Sequence, residues 1–348
     1  MNTNKAQQIL LPTDPRILLR CVSLYVGQGT SILLLLKDTD NYLPLLVDIN
    51  LDAKNGGVDV PTMMADLLGK CTLKVFVNTH PHDDHLRGLS ALQEIVGIDE
   101  VWHSGHKPSK KHEDAYKELQ DVISQVKKAG GVEVTLKGSR EENALGEVRY
   151  YILAPAKYVA DDIADEDADA RYRRIHEHCA VLRFGKEDTW ILIPGDADRD
   201  AFEKYITDYH KERLNAQLLI ASHHGSKSFF RYQEEDEPYL DALNTIDPTA
   251  LVISAPKQEE SKHDHPHEDA VRFYKDKVGN DLYHTGEDRH CFIFDIYDDG
   301  TTSSVTSDNG ELAKSYPLND GGDGGDATKP SYTKREKVSG IAGARYAK

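Results

Sequence analysis

Residues 75–89 read Val75-Phe76-Val77-Asn78-Thr79-His80-Pro81-His82-Asp83-Asp84-His85-Leu86-Arg87-Gly88-Leu89. An apolar, β-branched run from Leu73 to Val77, interrupted only by Lys74, stops in a polar corner. Apolar residues then recur at Leu86, Leu89, Leu92, Ile95 and Val96. The change of period predicts a strand, a tight turn and a helix. Potential metal ligands crowd the corner, in the pattern His-x-His-x-Asp-His. His80 and His82 are two residues apart on a locally extended segment, so both imidazoles fall on one side and can reach one ion. Asp84 and His85 enter the helix, point elsewhere, and can serve a second. A histidine-rich surface turn is the bland alternative; three histidines packed with an aspartate at a strand end favour the metal site.

Working outward, 348 residues suffice for one large domain with insertions or for two of average size. Hydrophobic residues make up 39% and charged residues 29%, a composition suited to a soluble globular protein. No segment approaches the ~20 apolar residues needed to cross a bilayer, and residues 1–8 lack the apolar core of a signal peptide. The expectation is a cytoplasmic protein with no membrane association. Cys21, Cys71, Cys179 and Cys291 are widely spaced, suggesting small core residues rather than disulfides or a zinc ribbon. A formal net charge of −17 argues against a dedicated nucleic-acid-binding module, though not against an enzyme whose cations are local to its site.

On the N-terminal side, Arg16–Val26 and Ser31–Leu36 read as strands of a hairpin joined by Gly27-Gln28-Gly29. Pro44–Asp48 is another strand, and Val60–Leu68 a helix. On the C-terminal side, Glu100–Trp102, Val132–Leu136, Val148–Leu153, Ala180–Phe184, Thr189–Ile193, Gln217–Ser222 and Ala250–Ser254 read as strands. Glu113–Lys128 and a segment near Arg199–Tyr209 read as helices. Strands alternating with helices fit two sheets sandwiched between helices, an α/β protein of αββα type. Asp161–Asp169 has six acids in nine residues and reads as a solvated loop, with a flap over the site as the alternative. From Asn309 the composition turns linker-like, giving three segments: a 1–15 extension, a 16–308 domain and a disordered 309–348 tail.

The His80–His85 stretch resembles the first ligand motif of metallo-β-lactamase-fold hydrolases. Tyr25-Val26-Gly27-Gln28-Gly29-Thr30-Ser31-Ile32 is similar to the opening signature of the ComEC competence proteins and their soluble relatives, with Thr30 where those usually carry Asp. His223-His224-Gly225-Ser226 and Asp264-His265-Pro266 resemble further motifs of that group.

The resemblance implies a dinuclear centre. His80, His82 and His178 would hold one ion, with His176 as the fallback for His178. Asp84, His85 and His223 or His224 would hold the other, His223 being preferred for its strand-end position. Asp196 would bridge the two, Asp48 would support them from behind, and His265 would face substrate. Imidazole-rich ligation favours two Zn²⁺, with Mn²⁺ tolerated. A water between two such ions is acidic enough to be a bridging hydroxide near neutral pH. The expected function is hydrolysis of a phosphodiester, in nucleic acid, a nucleotide or a smaller ester, with Asp84, His224 and His265 at the reacting centre. A carboxyl-ester, thioester or lactam hydrolase is the alternative within enzymes; a binding module that kept the fold is the alternative outside them.

Overall fold

The computed structural model describes residues 4–108, 113–164 and 167–318. Among these, fifteen strands form two sheets: β1 (Ile17–Ser23), β2 (Ile32–Asp38), β3 (Asn41–Val47), β4 (Leu73–Asn78), β5 (Ile98–His103), β6 (Val132–Thr135), β7 (Asn143–Leu145), β8 (Val148–Ala154), β9 (Val181–Lys186), β10 (Thr189–Ile193), β11 (Leu218–Ile220), β12 (Ala250–Ile253), β13 (Leu282–His284), β14 (Phe292–Tyr297) and β15 (Thr306–Ser307). The first sheet has the order β15-β14-β1-β2-β3-β4-β5-β6 and the second β13-β12-β11-β10-β9-β8-β7. β3 through β6 run parallel, as do β10 through β13.

Strand alternation explains the layering. In β4, Val75 and Val77 join the core between the sheets, whereas Phe76 joins the core beneath the helices. β2 does the same, with Leu34 and Leu36 inward and Leu33 and Leu35 outward. Strands buried on both faces read as continuous apolar runs, as these do. Helices Val60–Leu68, Leu89–Ile95 and Glu113–Lys128 cover the first sheet, and Asp241–Ile246 and Glu268–Val278 the second. Three cores between four layers make the αββα sandwich expected from the sequence.

Three segments depart from the expectation. The acidic stretch runs into helices instead of forming a loop, its two ends lying within Lys157–Ala164 and Ala168–Arg173, and residues 165 and 166 lie outside the described residues. The helix expected over 199–209 winds as α, then π over Phe202–Ile206, then α again.

The boundary at 309 also moves. Glu311–Ser315 is helical, Leu312 is fully buried, and Tyr316 packs in the same core as Ala6 and Leu10 of the N-terminal helix Lys5–Leu10. The Tyr316 hydroxyl accepts from Ala6 N at 3.0 Å and donates to Asp66 Oδ2 at 3.1 Å. Two apolar side chains sufficed to dock this segment, too few to register as periodicity. Residues 319–348 of the expected tail lie outside the described residues.

Candidate metal centre

Parallel strands deliver the candidate ligands to one rim. Asp48 follows β3, His80–His85 follow β4, Asp196 follows β10, His223 and His224 follow β11, and His265 comes from the loop after β12. Side chains beyond the carboxyl ends of parallel strands converge while their backbones are held by the sheet, which is where such folds place ligands. The two sheets are tied at this rim by Ala180 N, which donates to Thr79 O at 2.9 Å, and within the second sheet His223 N donates to Gly195 O at 3.0 Å.

Two donor clusters result. His80, His82, His176 and Asp196 each offer an atom within 4.8 Å of the others, and so do Asp84, His85 and His224. In the first, His80 Nε2 lies 2.9 Å from His82 Nδ1. In the second, His85 Nε2 lies 3.2 Å from His224 Nε2, and Asp84 Oδ2 is 3.5 Å from that same His224 nitrogen. Asp196 faces both. Its Oδ1 is 3.3 Å from His85 Nε2, and its Oδ2 is 3.5 Å from His224 Nε2 and 3.6 Å from His80 Nε2.

Outer contacts fix the imidazoles. His85 Nδ1 is 2.7 Å from Asp48 Oδ2, and Asp48 is itself anchored by Thr79, whose N and Oγ1 donate to it at 2.8 and 2.6 Å. His224 Nδ1 donates to Ser254 O at 3.0 Å and lies 3.4 Å from the Thr30 hydroxyl. With both Nδ1 atoms held by these outer partners, each Nε2 faces the shared space, the orientation a metal ligand needs.

Charge points the same way. Burial opposes ionisation of Asp84 and Asp196, yet neighbouring imidazoles outweigh it and hold both carboxyls well below the usual carboxylate range. Burial likewise opposes protonation of His85, but Asp196 and Asp48 carry its pKa well above the ordinary value. Among the described residues neither Asp84 nor Asp196 pairs with a Lys or Arg; their ionic neighbours are histidines. The buried carboxylate of Asp196 and the half-buried one of Asp84 face histidine rings, and with His176 Nε2 buried and lacking a hydrogen bond they make a pocket that fits divalent cations.

Of the sequence-derived ligands, the clusters contain His80, His82, Asp84, His85, Asp196 and His224, with Asp48 behind His85. His178 is a correction, because His176 occupies the first cluster in its place. The chain makes a helical turn before β9, His178 N donating to Arg174 O and Cys179 N to His176 O. At ~100° per residue, positions two apart then face nearly opposite ways, whereas extended chain would have aligned them. His178 instead points to His106, their Nδ1 atoms 3.0 Å apart, and burial pushes its pKa down to about 4.

The preference for His223 is also corrected. Both histidines adopt left-handed backbone, φ 48° and 55°, in a turn that redirects the chain after β11. This sends His224 into the second cluster and leaves His223 beside His176 (ring centroids 4.3 Å apart), with Nδ1 3.0 Å from Ser228 Oγ and Nε2 3.7 Å from Asp196. His265 is no cluster member. Its ring lies 5.1 Å from that of His223 and 6.0 Å from that of His224.

The sequence reading missed Thr79, Ser254 and the full part of Cys179. The Cys179 sulfur accepts Asp196 N at 3.2 Å and lies 3.7 Å from His80 Nδ1. Adjacency to His80 was the signal for Thr79, and adjacency to the expected ligand His178 for Cys179; Ser254 acts through its backbone carbonyl, which no sequence motif reports.

Residues 57–206 match the family model of the metallo-beta-lactamase superfamily. No curated protein matches the chain. Among solved structures, CmlA, a diiron beta-hydroxylase from Streptomyces venezuelae, is similar at 14% identity and TM-score 0.47, over 78% of this chain and 53% of that one. This chain thus spans about half the length of that protein. A diphosphatase of the PhnP family is similar at 14% identity and TM-score 0.39, over 76% and 94%. A metallo-beta-lactamase from Cronobacter sakazakii is similar at 13% identity and TM-score 0.30, over 64% and 87%.

Proposed function

We propose, from the metallo-beta-lactamase superfamily domain that this chain carries, that the protein is a dinuclear metal-dependent hydrolase acting on phosphodiesters. The observation that carries this reading is the position of Asp196, one carboxylate within 3.3 to 3.6 Å of imidazole nitrogens from both donor clusters. His80, His82, His176 and Asp196 would hold one ion, and Asp84, His85, His224 and Asp196 the other. Two divalent ions there would supply Lewis acidity and lower the pKa of water enough to make a nucleophile near neutral pH.

The chain's own residues do the rest. Asp48 and Ser254 O hold His85 and His224 through Nδ1, so that Nε2 of each is the atom presented to the ions. His265 stays neutral, its pKa pushed down to about 3 by burial and then by His224 and His267. A neutral ring beside the cluster suits hydrogen bonding to a phosphoryl oxygen, where charge gathers in the transition state. Lys227, whose backbone N donates to His267 Nδ1 at 3.2 Å, is a local cation on this side of a protein of net charge −17. The phosphodiester preference also draws on the ComEC-like motifs at Tyr25–Ile32 and His223–Ser226. Zn²⁺ is the proposed ion, from the imidazole-rich donor set.

A hydrolysis screen with Zn²⁺ or Mn²⁺ tests the reading, comparing bis-p-nitrophenyl phosphate, single- and double-stranded DNA, RNA, a thioester and a β-lactam. Metal-dependent cleavage of a phosphodiester is expected, and Asp84→Asn should abolish it. Strong thioester or lactam hydrolysis with no phosphodiester cleavage under either metal would place the protein in the other hydrolase class.

A further inference from the structure

The Gly27–Thr30 loop touches the second donor cluster. A Cβ on Gly29 (φ +129°) would collide with the Asp84 carbonyl oxygen and meet Asn50 Cβ at 2.8 Å, so only glycine permits this approach. Thr30 N donates to that carbonyl at 3.4 Å, and Gly29 O accepts from Ser254 Oγ at 2.9 Å. The loop is thereby pinned between ligand Asp84 and the residue whose carbonyl orients ligand His224.

Between the two glycines, Gln28 is buried and reaches across the fold to Ser261, 233 residues away. Ser261 Oγ accepts backbone N–H bonds from His263 at 3.2 Å and His265 at 3.1 Å. A hydroxyl has two lone pairs and one proton. Both lone pairs are used, so the proton must be donated, and the atom 2.9 Å away has to be the Gln28 amide oxygen. Gln28 therefore grips the loop that carries His265. From the other side that loop is seated on the His223-His224-Gly225 turn, His267 N donating to Gly225 O at 3.0 Å.

We propose that Gln28 and Ser261 are positioning residues that hold the His265 loop in register with the metal-ligand cluster. This rests on the reading above that His265 meets the substrate. The relay couples the segment that supports Asp84 to the segment that presents His265, so that ligand and substrate sides keep a fixed spacing. An apolar residue at position 28 would leave the Ser261 hydroxyl proton without its acceptor and release one face of the loop.

The test uses the full-length, metal-loaded protein with Gln28→Met, Ser261→Ala and the conservative Ser261→Thr. Hydrogen–deuterium exchange over residues 261–268, metal content by elemental analysis, and kcat and KM on bis-p-nitrophenyl phosphate are read together. Gln28→Met and Ser261→Ala should speed exchange in that loop, retain wild-type metal content and lower kcat by about tenfold to a hundredfold. Ser261→Thr should restore both readouts. Wild-type protection of residues 261–268 in Gln28→Met would overturn the coupling, and a loosened loop with unchanged kcat would overturn its bearing on turnover. A wild-type protein that cleaves no phosphodiester would defeat the proposed function alone, since exchange still decides whether Gln28 holds the loop.

Discussion

Asp48 Oδ2 and His85 Nδ1 meet at 2.7 Å with both side chains fully buried. The carboxylate accepts the Nδ1 proton, which aims Nε2 at His224 and Asp196. Asp48 itself sits at φ 56°, a left-handed conformation that aspartate tolerates better than most residues and that turns its carboxylate back under the ligand turn. Asp48→Asn keeps the shape but removes the charge, so it should weaken metal binding by about tenfold to a hundredfold. Competition against a chromophoric chelator measures this, and an unchanged affinity would mean that the Asp48 contact is only structural.

His176 and His178 give a sharper comparison, because they differ by two positions and only one faces the donor cluster. His176→Ala should lose close to one metal equivalent, and His178→Ala should retain wild-type content. Asp196→Ala, lacking the carboxylate shared by both clusters, should lose metal at both positions. Elemental analysis of the three variants beside wild type decides. Retention in His176→Ala together with loss in His178→Ala would restore the assignment drawn from the sequence.

These cases mark what the sequence made legible. The His80–His85 stretch was readable because strand end, alternation and ligand types coincide within six residues, and the αββα layers were readable because β2 and β4 are apolar on both faces. The choice between His176 and His178 was not, since it turns on whether three residues before β9 are extended or helical. The choice between His223 and His224 depends on two left-handed residues, a conformation without side-chain signature there. Burial by a few apolar residues, as at Leu312 and Tyr316, leaves no period to detect.

That last segment yields a stability prediction. Cutting after Glu311 removes Leu312 and Tyr316 from the core shared with the N-terminal helix, together with the hydroxyl bonds to Ala6 and Asp66. A truncation of this kind should cost at least what a large-to-small core substitution does, about 2–5 kcal/mol. Cutting after Leu318 keeps every one of these contacts and is the reference. Thermal melts of the two proteins should therefore separate by several degrees, and coincident melts would show that the 311–318 segment contributes nothing.

The final prediction concerns acid. His210 is buried away from the metal ligands, its Nε2 donating to Leu153 O at 2.8 Å while Nδ1 is buried without a partner. Burial pushes its pKa down to about 4 from the ordinary 6.5, helped by Arg213 and Arg140 and opposed by the Leu153 bond. Between those values the unfolded chain binds a proton that the fold refuses, so stability rises with pH across the window and falls as acid is added. Above about 6.5 both states are neutral at this position and the penalty vanishes. His210→Gln removes the titration while its amide can still donate to Leu153 O. Melts should be run with a chelator present, so that acid release of metal does not enter. The wild type should lose more melting temperature than His210→Gln between pH 7 and 4.5, by a few degrees; parallel curves would mean that His210 takes up its proton freely in the folded protein.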